Sequence, residues 1–193
     1  FGLTRFAAVH DPRGIKRRTT SRYVGQMIRR ITDDDLDRVL EINAANVPEV
    51  GEVDEEQLRF IVSESALALV VESDDEIAGF CLVLGPGSTY DSVNYLWFMD
   101  RTPDALYLDR VAFDQRFQGR GLGSVLYAEV SRLMSSDHPN ASELTLEVNI
   151  DPPNEPSLSF HRKHGFTEVG RQLSHGIEVS LMSRPVSDGQ ART

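Results

Sequence analysis

A strand, a glycine-rich turn and the start of a helix follow one another between residues 105 and 133, and this order is the strongest constraint in the sequence. The segment reads ALYLDRVAFDQRFQGRGLGSVLYAEVSRL. Gly119, Gly121 and Gly123 keep side chains out of the turn, and the helix that follows contributes partial positive charge from its free N–H groups. Such a turn suits a bound pyrophosphate.

Two common phosphate-binding motifs do not fit this turn. A Rossmann turn lies near the start of a parallel β-α-β unit, with an acidic residue about 20 positions further on, whereas this turn comes late, after an apparent meander of strands. The lysine and hydroxyl of a Walker loop are also absent. The sequence therefore favours a pyrophosphate attached to something else.

Two motifs resemble those of the GNAT superfamily of acyl-CoA-dependent N-acetyltransferases. QGRGLG at residues 118–123 resembles the family's Q/R-x-x-G-x-G/A turn, and NEPSLSFHRKHGF at residues 154–166 resembles its N-x-x-A-x-x-F-Y-x-x-x-G-F segment. The resemblance spans about residues 27–185. It implies an α/β (α+β) fold, a mixed central sheet of about seven strands flanked by about four helices. The element order read from the sequence, β-α-α-β-β-β-α-β-α-β-β, is that of the family.

The resemblance also implies the donor and the residues that hold it. Acetyl-CoA is the expected acyl donor, with no metal. The expected coenzyme contacts are main-chain groups of Val111, Ala112 and Phe113, together with Gln118, Gly119, Arg120, Gly121, Leu122, Gly123, Ser124 and Asn154.

An amine arrives mostly as ammonium and needs a base before it can attack a thioester. Glu147 is the best candidate, because the alternation of LTLEVNI places it on the opposite face of a strand from Leu144, Leu146 and Val148. A carboxylate in a central strand is costly to bury unless it is paired or catalytic. The alternative is a structural ion pair of Glu147 with Arg110 or another basic group, and Asp109 is the second candidate for the base.

His161 is the candidate general acid for the departing coenzyme A thiolate. The resembling family often has tyrosine at this position, and imidazolium can also donate a proton near neutral pH. The alternative is a histidine that packs or contacts the coenzyme, with water protonating the thiolate. His164 is read as a core or helix-end residue.

The segment between residues 85 and 104 is too long for a plain hairpin connection and is predicted to be a binding loop. Tyr90, Asp91 and Trp97, with Tyr95, could form an aromatic and acidic rim for a cationic acceptor. The alternative is that Tyr95, Trp97 and Phe98 only fix the loop to the body.

Charge divides the chain into a basic start and an acidic body. Residues 1–26 have a net charge of +5 and the remainder −15, out of −10 for the 193 residues. We predict a flexible basic extension over 1–26, one domain over 27–185 and a loose tail over 186–193. The extension is either a genuine tail that contacts an acidic partner or a sequence artefact.

The acidic body argues against nucleic-acid binding, and no apolar run is long enough for a membrane span or a signal peptide. The single cysteine, Cys81, lies in an apolar run and is predicted to be a core thiol. We therefore predict a cytoplasmic enzyme, and the sequence leaves open a homodimer.

Taken together, the sequence predicts an N-acetyltransferase that moves an acetyl group from acetyl-CoA to a primary amine, on a small molecule or a peptide, by direct attack in a ternary complex. Two alternatives remain: a transferase that uses a longer acyl-CoA, and a non-catalytic coenzyme A sensor.

Overall fold

The computed structural model describes residues 21–23 and 26–186, and these residues form a mixed sheet covered by helices on both faces. The strands are β1 Ser21–Tyr23, β2 Gln26–Arg30, β3 Ser65–Ser73, β4 Glu76–Leu84, β5 Leu106–Phe113, β6 Glu143–Asp151, β7 Thr167–Ser174 and β8 Ile177–Pro185. The helices are α1 Leu36–Ala44, α2 Glu55–Glu64, α3 Val93–Arg101, α4 Leu122–Asp137 and α5 Glu155–Lys163.

The strand order in the sheet is β1-β2-β3-β4-β5-β6-β8-β7. Every neighbouring pair is antiparallel except β5 and β6, which are parallel. A parallel pair needs a crossover connection, and α4 supplies it. The predicted mixed α/β fold is confirmed, with one strand and one helix more than expected.

The additional strand is β1, which lies in the segment predicted as an extension and pairs with β2. The rest of that segment, residues 1–20 and 24–25, and the predicted tail from residue 187 onward lie outside the described residues. The domain boundaries therefore stay predictions. The short strand β1 was not predicted from the sequence.

The additional helix is α3, in the segment predicted as a binding loop. Its N-terminus is capped by Ser92, whose side chain accepts a hydrogen bond from the Asn94 N–H. Tyr95 and Phe98 lie on its buried side. The aromatic residues of this segment thus form the core-facing side of a helix, which the sequence reading missed.

Two apolar cores lie on opposite faces of the sheet. One core packs α4 and Leu158 of α5 against one face, and the other packs α1, α2 and α3 against the opposite face. Cys81 is fully buried in the first core, as predicted. Of the helices that the structure describes, none is long and apolar enough to cross a membrane.

Candidate active site

A cleft opens where the two parallel strands separate. β5 and β6 pair only at Leu106 with Leu144 and at Tyr107 with Thr145. Beyond that point β5 remains paired with β4 as far as Phe113, while β6 remains paired with β8. The cleft side of residues 108–113 therefore has no strand partner in the described part of the chain, and its main-chain groups are available to a ligand.

A bulge in β5 decides which side chains flank this cleft. Leu82 of β4 pairs with Arg110 and Val83 pairs with Leu108, so Asp109 is an extra residue in the strand. A bulge interrupts the alternation of side chains. Leu108 belongs to the core under α4 and Asp109 follows Tyr107 on the face of α1 and α3, as alternation requires. The bulge then places Arg110 on that same face, where it contacts Asn43 of α1.

Glu147 lies across from Tyr107 at the point where the strands separate. Leu144, Leu146 and Val148 are in the core under α4, so Glu147 is on the opposite face of β6, as the alternation predicted. The Tyr107 hydroxyl donates a short hydrogen bond to Oε2 of Glu147. Burial, followed by the negative charge of Asp109, raises the pKa of Glu147 to about 7.

Two side chains from the segment before β5 interact with Glu147 and Asp109. The amide of Asn94, on α3, interacts with Glu147 and lowers its pKa against the effect of burial. The Tyr90 hydroxyl interacts with Asp109, whose pKa is nevertheless raised because the carboxylate is buried. We call Tyr90, Asn94, Tyr107, Asp109 and Glu147 the acidic cluster.

Arg110 is engaged elsewhere and does not pair with Glu147. Its guanidinium Nη1 donates to Oδ1 of Asn43 at 3.0 Å and to the Gly51 carbonyl. Its Nε lies 3.1 Å from Oδ2 of Asp109. The ion pair offered as the alternative role for Glu147 is therefore absent among the described residues, and Arg110 instead ties the segment after α1 to β5.

Tyr90 is the only one of the predicted rim residues that the structure brings to the acidic cluster within the described residues. Asp91 is exposed. Trp97 packs against Gly170, where an added Cβ would lie 2.8 Å from the indole, and Arg101 covers its ring at 4.0 Å. The Tyr95 hydroxyl donates to the Gly85 carbonyl at 2.8 Å. Tyr95 and Trp97 thus fix α3 to the sheet, as the alternative reading proposed.

The glycine turn forms the other side of the site, at the N-terminus of α4. Gly119 and Gly121 have φ of 74° and 78°, the left-handed region in which glycine is favoured. Gly121 is the N-cap and has no capping side chain. Because the first N–H groups of a helix have no internal partner, they point out of the turn and can bind an anion.

Gly123 is required for a different reason. A Cβ at this position would lie 3.0 Å from the ring of Phe160 on α5, so the small residue lets α4 and α5 approach closely. Arg120 extends from the turn to Asp74, with 2.6 Å between Nη1 and Oδ2. Ser124 contacts His164, with 3.1 Å between Oγ and Nε2.

Asn154 caps the helix that leads to His161. Its Oδ1 accepts a hydrogen bond of 3.1 Å from the Ser157 N–H, which satisfies one of the free N–H groups of α5. The role predicted for Asn154 toward the coenzyme stays a prediction, as do those of the turn and of residues 111–113.

His161 is buried on the face of the sheet that packs against α4, with 4% of its surface exposed. Its Nε2 lies 2.7 Å from the Tyr127 hydroxyl, and its Nδ1 lies 2.7 Å from the Ser157 carbonyl. Burial lowers the pKa of His161 to about 4. The ring is therefore neutral near pH 7, with both nitrogens hydrogen-bonded, and these contacts favour the packing role over that of an acid.

Solved structures with the same architecture are N-acetyltransferases. The ribosomal-protein-S18-alanine N-acetyltransferase from Escherichia coli superposes with a TM-score of 0.66, at 17% identity over 87% of this chain and 98% of that one. The aminoglycoside acetyltransferase AAC(6')-Ib, in complex with coenzyme A, gives 0.66 at 18% identity over 83% and 94%. The fold is thus the one that these two acetyltransferases share.

The sequence comparisons agree with the fold. The Acetyltransferase (GNAT) family matches residues 34–166, so this chain belongs to the GNAT family. It is 28% identical over 113 residues to the uncharacterized N-acetyltransferase YesJ of Bacillus subtilis, which is 58% of each chain. It is 24% identical to a putative [ribosomal protein bS18]-alanine N-acetyltransferase of the same organism, over 74% of this chain and 82% of that one. The family match confirms the resemblance and the acyltransferase class of the domain.

Sequence reasoning missed two members of the acidic cluster, Tyr107 and Asn94. Tyr107 looks like a core residue in an apolar strand, and it is indeed fully buried. Asn94 lies in the helix that was read as a loop. Their roles depend on contacts across strands and helices, which no local pattern encodes.

Proposed function

We propose that this protein transfers an acetyl group from acetyl-CoA to a primary amine, with Glu147 as the base. The observation that carries the proposal is the Tyr107–Glu147 pair at the point where β5 and β6 separate. A carboxylate with a pKa of about 7 is partly ionised at neutral pH and basic enough to take a proton from an ammonium group.

The proposed reaction forms an amide bond and breaks the thioester bond. Glu147 takes one proton from the ammonium, and the amine lone pair then attacks the thioester carbonyl. The tetrahedral intermediate expels the thiolate, and the amine nitrogen loses its second proton as the amide forms. The thiolate takes up one proton, so the products are the acetylated amine, coenzyme A and one proton released to solvent.

We propose that the thiolate takes the second amine proton, directly or through water, rather than one from His161. The neutral imidazole has one N–H, on Nδ1 or Nε2, and the Ser157 carbonyl beside Nδ1 can only accept a proton. Nδ1 therefore carries the proton and Nε2 accepts from Tyr127. The proton on Nδ1 is held by a carbonyl of its own helix and is poorly placed for transfer.

We propose that the acetyl-CoA pyrophosphate binds the free N–H groups of the glycine turn and that its pantetheine arm lies along residues 111–113 in the cleft. The structure of AAC(6')-Ib with coenzyme A supports this placement at the level of the fold. The acceptor class remains a primary amine on a small molecule or a peptide, since relatives are named for both. A cytoplasmic location, without nucleic-acid or membrane partners, belongs to the same proposal.

Glu147→Gln tests the base directly. The amide cannot accept the proton, so we expect kcat at pH 7 to fall by about 100-fold or more. At pH 9.5 the acceptor is increasingly free amine, and the loss is expected to shrink to a few-fold. The panel of acceptors is an alanine-initiated peptide, ribostamycin and n-butylamine. Glu143→Gln, on the same strand, is the matched control and is expected to retain activity.

Equal losses for Glu147→Gln at both pH values would remove Glu147 as the base. Calorimetric titration with acetyl-CoA separates this outcome from a failure of the coenzyme site, which Gly121→Glu is expected to abolish. Coenzyme binding without amine-dependent thiol release from any acceptor would favour the sensor alternative. Faster turnover with propionyl- or succinyl-CoA would favour the longer donor.

A further inference from the structure

Asp109 is a buried carboxylate with one oxygen that has no hydrogen-bond partner. Its side chain is 5% exposed. Oδ2 and the Nε of Arg110 lie 3.1 Å apart, but they are not aligned for a hydrogen bond, and both atoms lack a partner among the described residues. A buried polar atom without a partner costs free energy, so an oxygen left in this state is well suited to a ligand that brings a donor.

The position of Asp109 indicates what that ligand is. Asp109 lies two residues after Tyr107, on the same face of β5, and the Tyr107 hydroxyl donates to Glu147. The register that pairs Tyr107 with Thr145, continued by two residues along both strands, places Asp109 across from Glu147. The charge of Asp109 acts on Tyr107, on Tyr90 and on Glu147 itself. The free oxygen therefore lies beside the proposed base, where the acceptor amine has to bind.

The chemistry of a primary ammonium calls for such an oxygen. The group has three N–H donors, of which one gives its proton to Glu147. The lone pair that this creates points at the thioester only if the remaining N–H groups are held in other directions. One acceptor beside Glu147 fixes that orientation, and Oδ2 of Asp109 is such an acceptor without a hydrogen-bond partner among the described residues.

We propose that Oδ2 of Asp109 accepts an N–H of the acceptor's ammonium group, so that Asp109 and Glu147 hold the amine between them. This rests on the proposed function and assigns the acceptor as a charged primary amine. The Tyr90 hydroxyl interacts with the Asp109 carboxylate and lowers its pKa against the effect of burial. Arg110 offsets its charge from the side of α1.

The assignment separates acceptor binding from coenzyme binding. Asp109 is an acceptor-binding residue, so its loss raises KM for the amine and leaves the affinity for acetyl-CoA unchanged. The groups that face Glu147 are Tyr107 and Asp109 from β5, Asn94 from α3 and Tyr90 from the segment before it. The negative charge of Asp109 raises the pKa of Glu147, so removing that charge is expected to lower the pKa of Glu147.

The test compares Asp109→Asn with Asp100→Asn, which removes the same charge from the exposed end of α3. We expect Asp109→Asn to raise KM for the fastest acceptor of the panel above by at least tenfold, with an unchanged dissociation constant for acetyl-CoA. The acid limb of kcat/KM is expected to move to lower pH. Asp100→Asn is expected to change neither value. An unchanged KM together with an unchanged acid limb for Asp109→Asn would overturn the proposal.

Two further measurements keep the test decisive. If no acceptor of the panel turns over, the proposed function has failed, and carbon-13 NMR of labelled glutamate still reports the Glu147 titration. If Asp109→Asn leaves the pKa of Glu147 unchanged, Asp109 does not lie close enough to Glu147, and the proposal is overturned. If Asp109→Asn does not fold, inhibition of the wild-type enzyme is compared for the N-methylalanine and N,N-dimethylalanine counterparts of an alanine-initiated peptide. The first ammonium keeps two N–H groups and the second only one, so equal inhibition constants would contradict an amine held by two carboxylates.

Discussion

Two buried pairs, one on each face of the sheet, join a tyrosine hydroxyl to a titratable side chain. On the face of α3, Tyr107 donates to Glu147. On the face of α4, the Tyr127 hydroxyl lies 2.7 Å from Nε2 of His161. Both pairs link neighbouring elements, and both sit next to the segments that the sequence motifs singled out.

Burial acts on the two pairs in the same way and with opposite consequences. A low-dielectric surrounding disfavours the charged form of any group. It raises the pKa of the Glu147 carboxyl to about 7 and lowers the pKa of the His161 imidazole to about 4. The first shift suits the role of base that we propose for Glu147, whereas the second favours a neutral His161 ring near pH 7, which does not suit the role of general acid.

The surroundings of the two pairs also differ in how many buried polar atoms have hydrogen-bond partners. Both nitrogens of His161 have partners within 2.7 Å, and the ring lies against Tyr127, Phe160 and Phe166. Glu147 instead lies where two strands separate, beside Asp109, whose Oδ2 has no partner in the described part of the chain. A satisfied group stabilises the fold, while an unsatisfied one at a cleft is available for binding.

Tyr107→Phe is expected to have the largest effect of the changes that compare the two pairs. It removes the hydroxyl that orients Glu147 and lowers its pKa. We expect kcat to fall by about 100-fold, with the acid limb of the pH profile moving to higher pH. Kinetics across pH 5 to 9 check both effects.

Tyr95→Phe is the matched control, because its hydroxyl is also hydrogen-bonded on the same face of the sheet but contacts the Gly85 carbonyl. Tyr95→Phe should lower the free energy of unfolding without moving the acid limb of the pH profile of kcat. A shift of the limb that is the same in both variants would show that Tyr107 acts only through the core.

The sequence identified the parts of the site that depend on local pattern. Alternation placed Glu147 opposite Leu146 and Val148, and the glycine spacing placed a helix N-terminus after Gly121; the structure has both. Each of these follows from the period of a strand or from the backbone freedom of glycine.

The parts that the sequence did not reveal depend on pairing between distant segments. Nothing in LYLDRVAF marks Asp109 as the bulge residue, because a bulge is defined by the register with β4. The burial of His161 and the contact of Asn94 with Glu147 likewise require α4 and α3 to be in place. Ser92 was an available signal for α3, as its side chain caps that helix.

His161→Gln is expected to affect stability and leave catalysis unchanged. It removes two buried hydrogen bonds, so we expect the free energy of unfolding to fall by about 2 kcal/mol at pH 7. Because the folded pKa is below that of the unfolded chain, His161 supports the fold above about pH 6.5, and this support is lost as the pH falls toward 4. Denaturant unfolding at pH 7 and pH 5 should show a smaller difference in the free energy of unfolding between the wild type and the variant at pH 5. A pH–rate profile changed on its basic side would restore His161 as the acid.

The effect of Glu147→Gln on stability is expected to be the smallest of these changes, a gain that accompanies its loss of activity. The folded pKa of Glu147, about 7, is above its unfolded value, so its contribution to stability is present below about pH 4.5 and is lost as the pH rises through 7. The amide can still accept the hydrogen bond from Tyr107 and is never charged. Since Glu147 as a residue is only half-buried, solvent screening reduces the effect of the shift, and we expect about 1 kcal/mol of stabilisation at pH 8. Thermal unfolding at pH 8 and pH 5 measures it, with no gain expected at pH 5. An equal gain at both pH values would mean that packing, and not the charge of the Glu147 carboxylate, causes the gain.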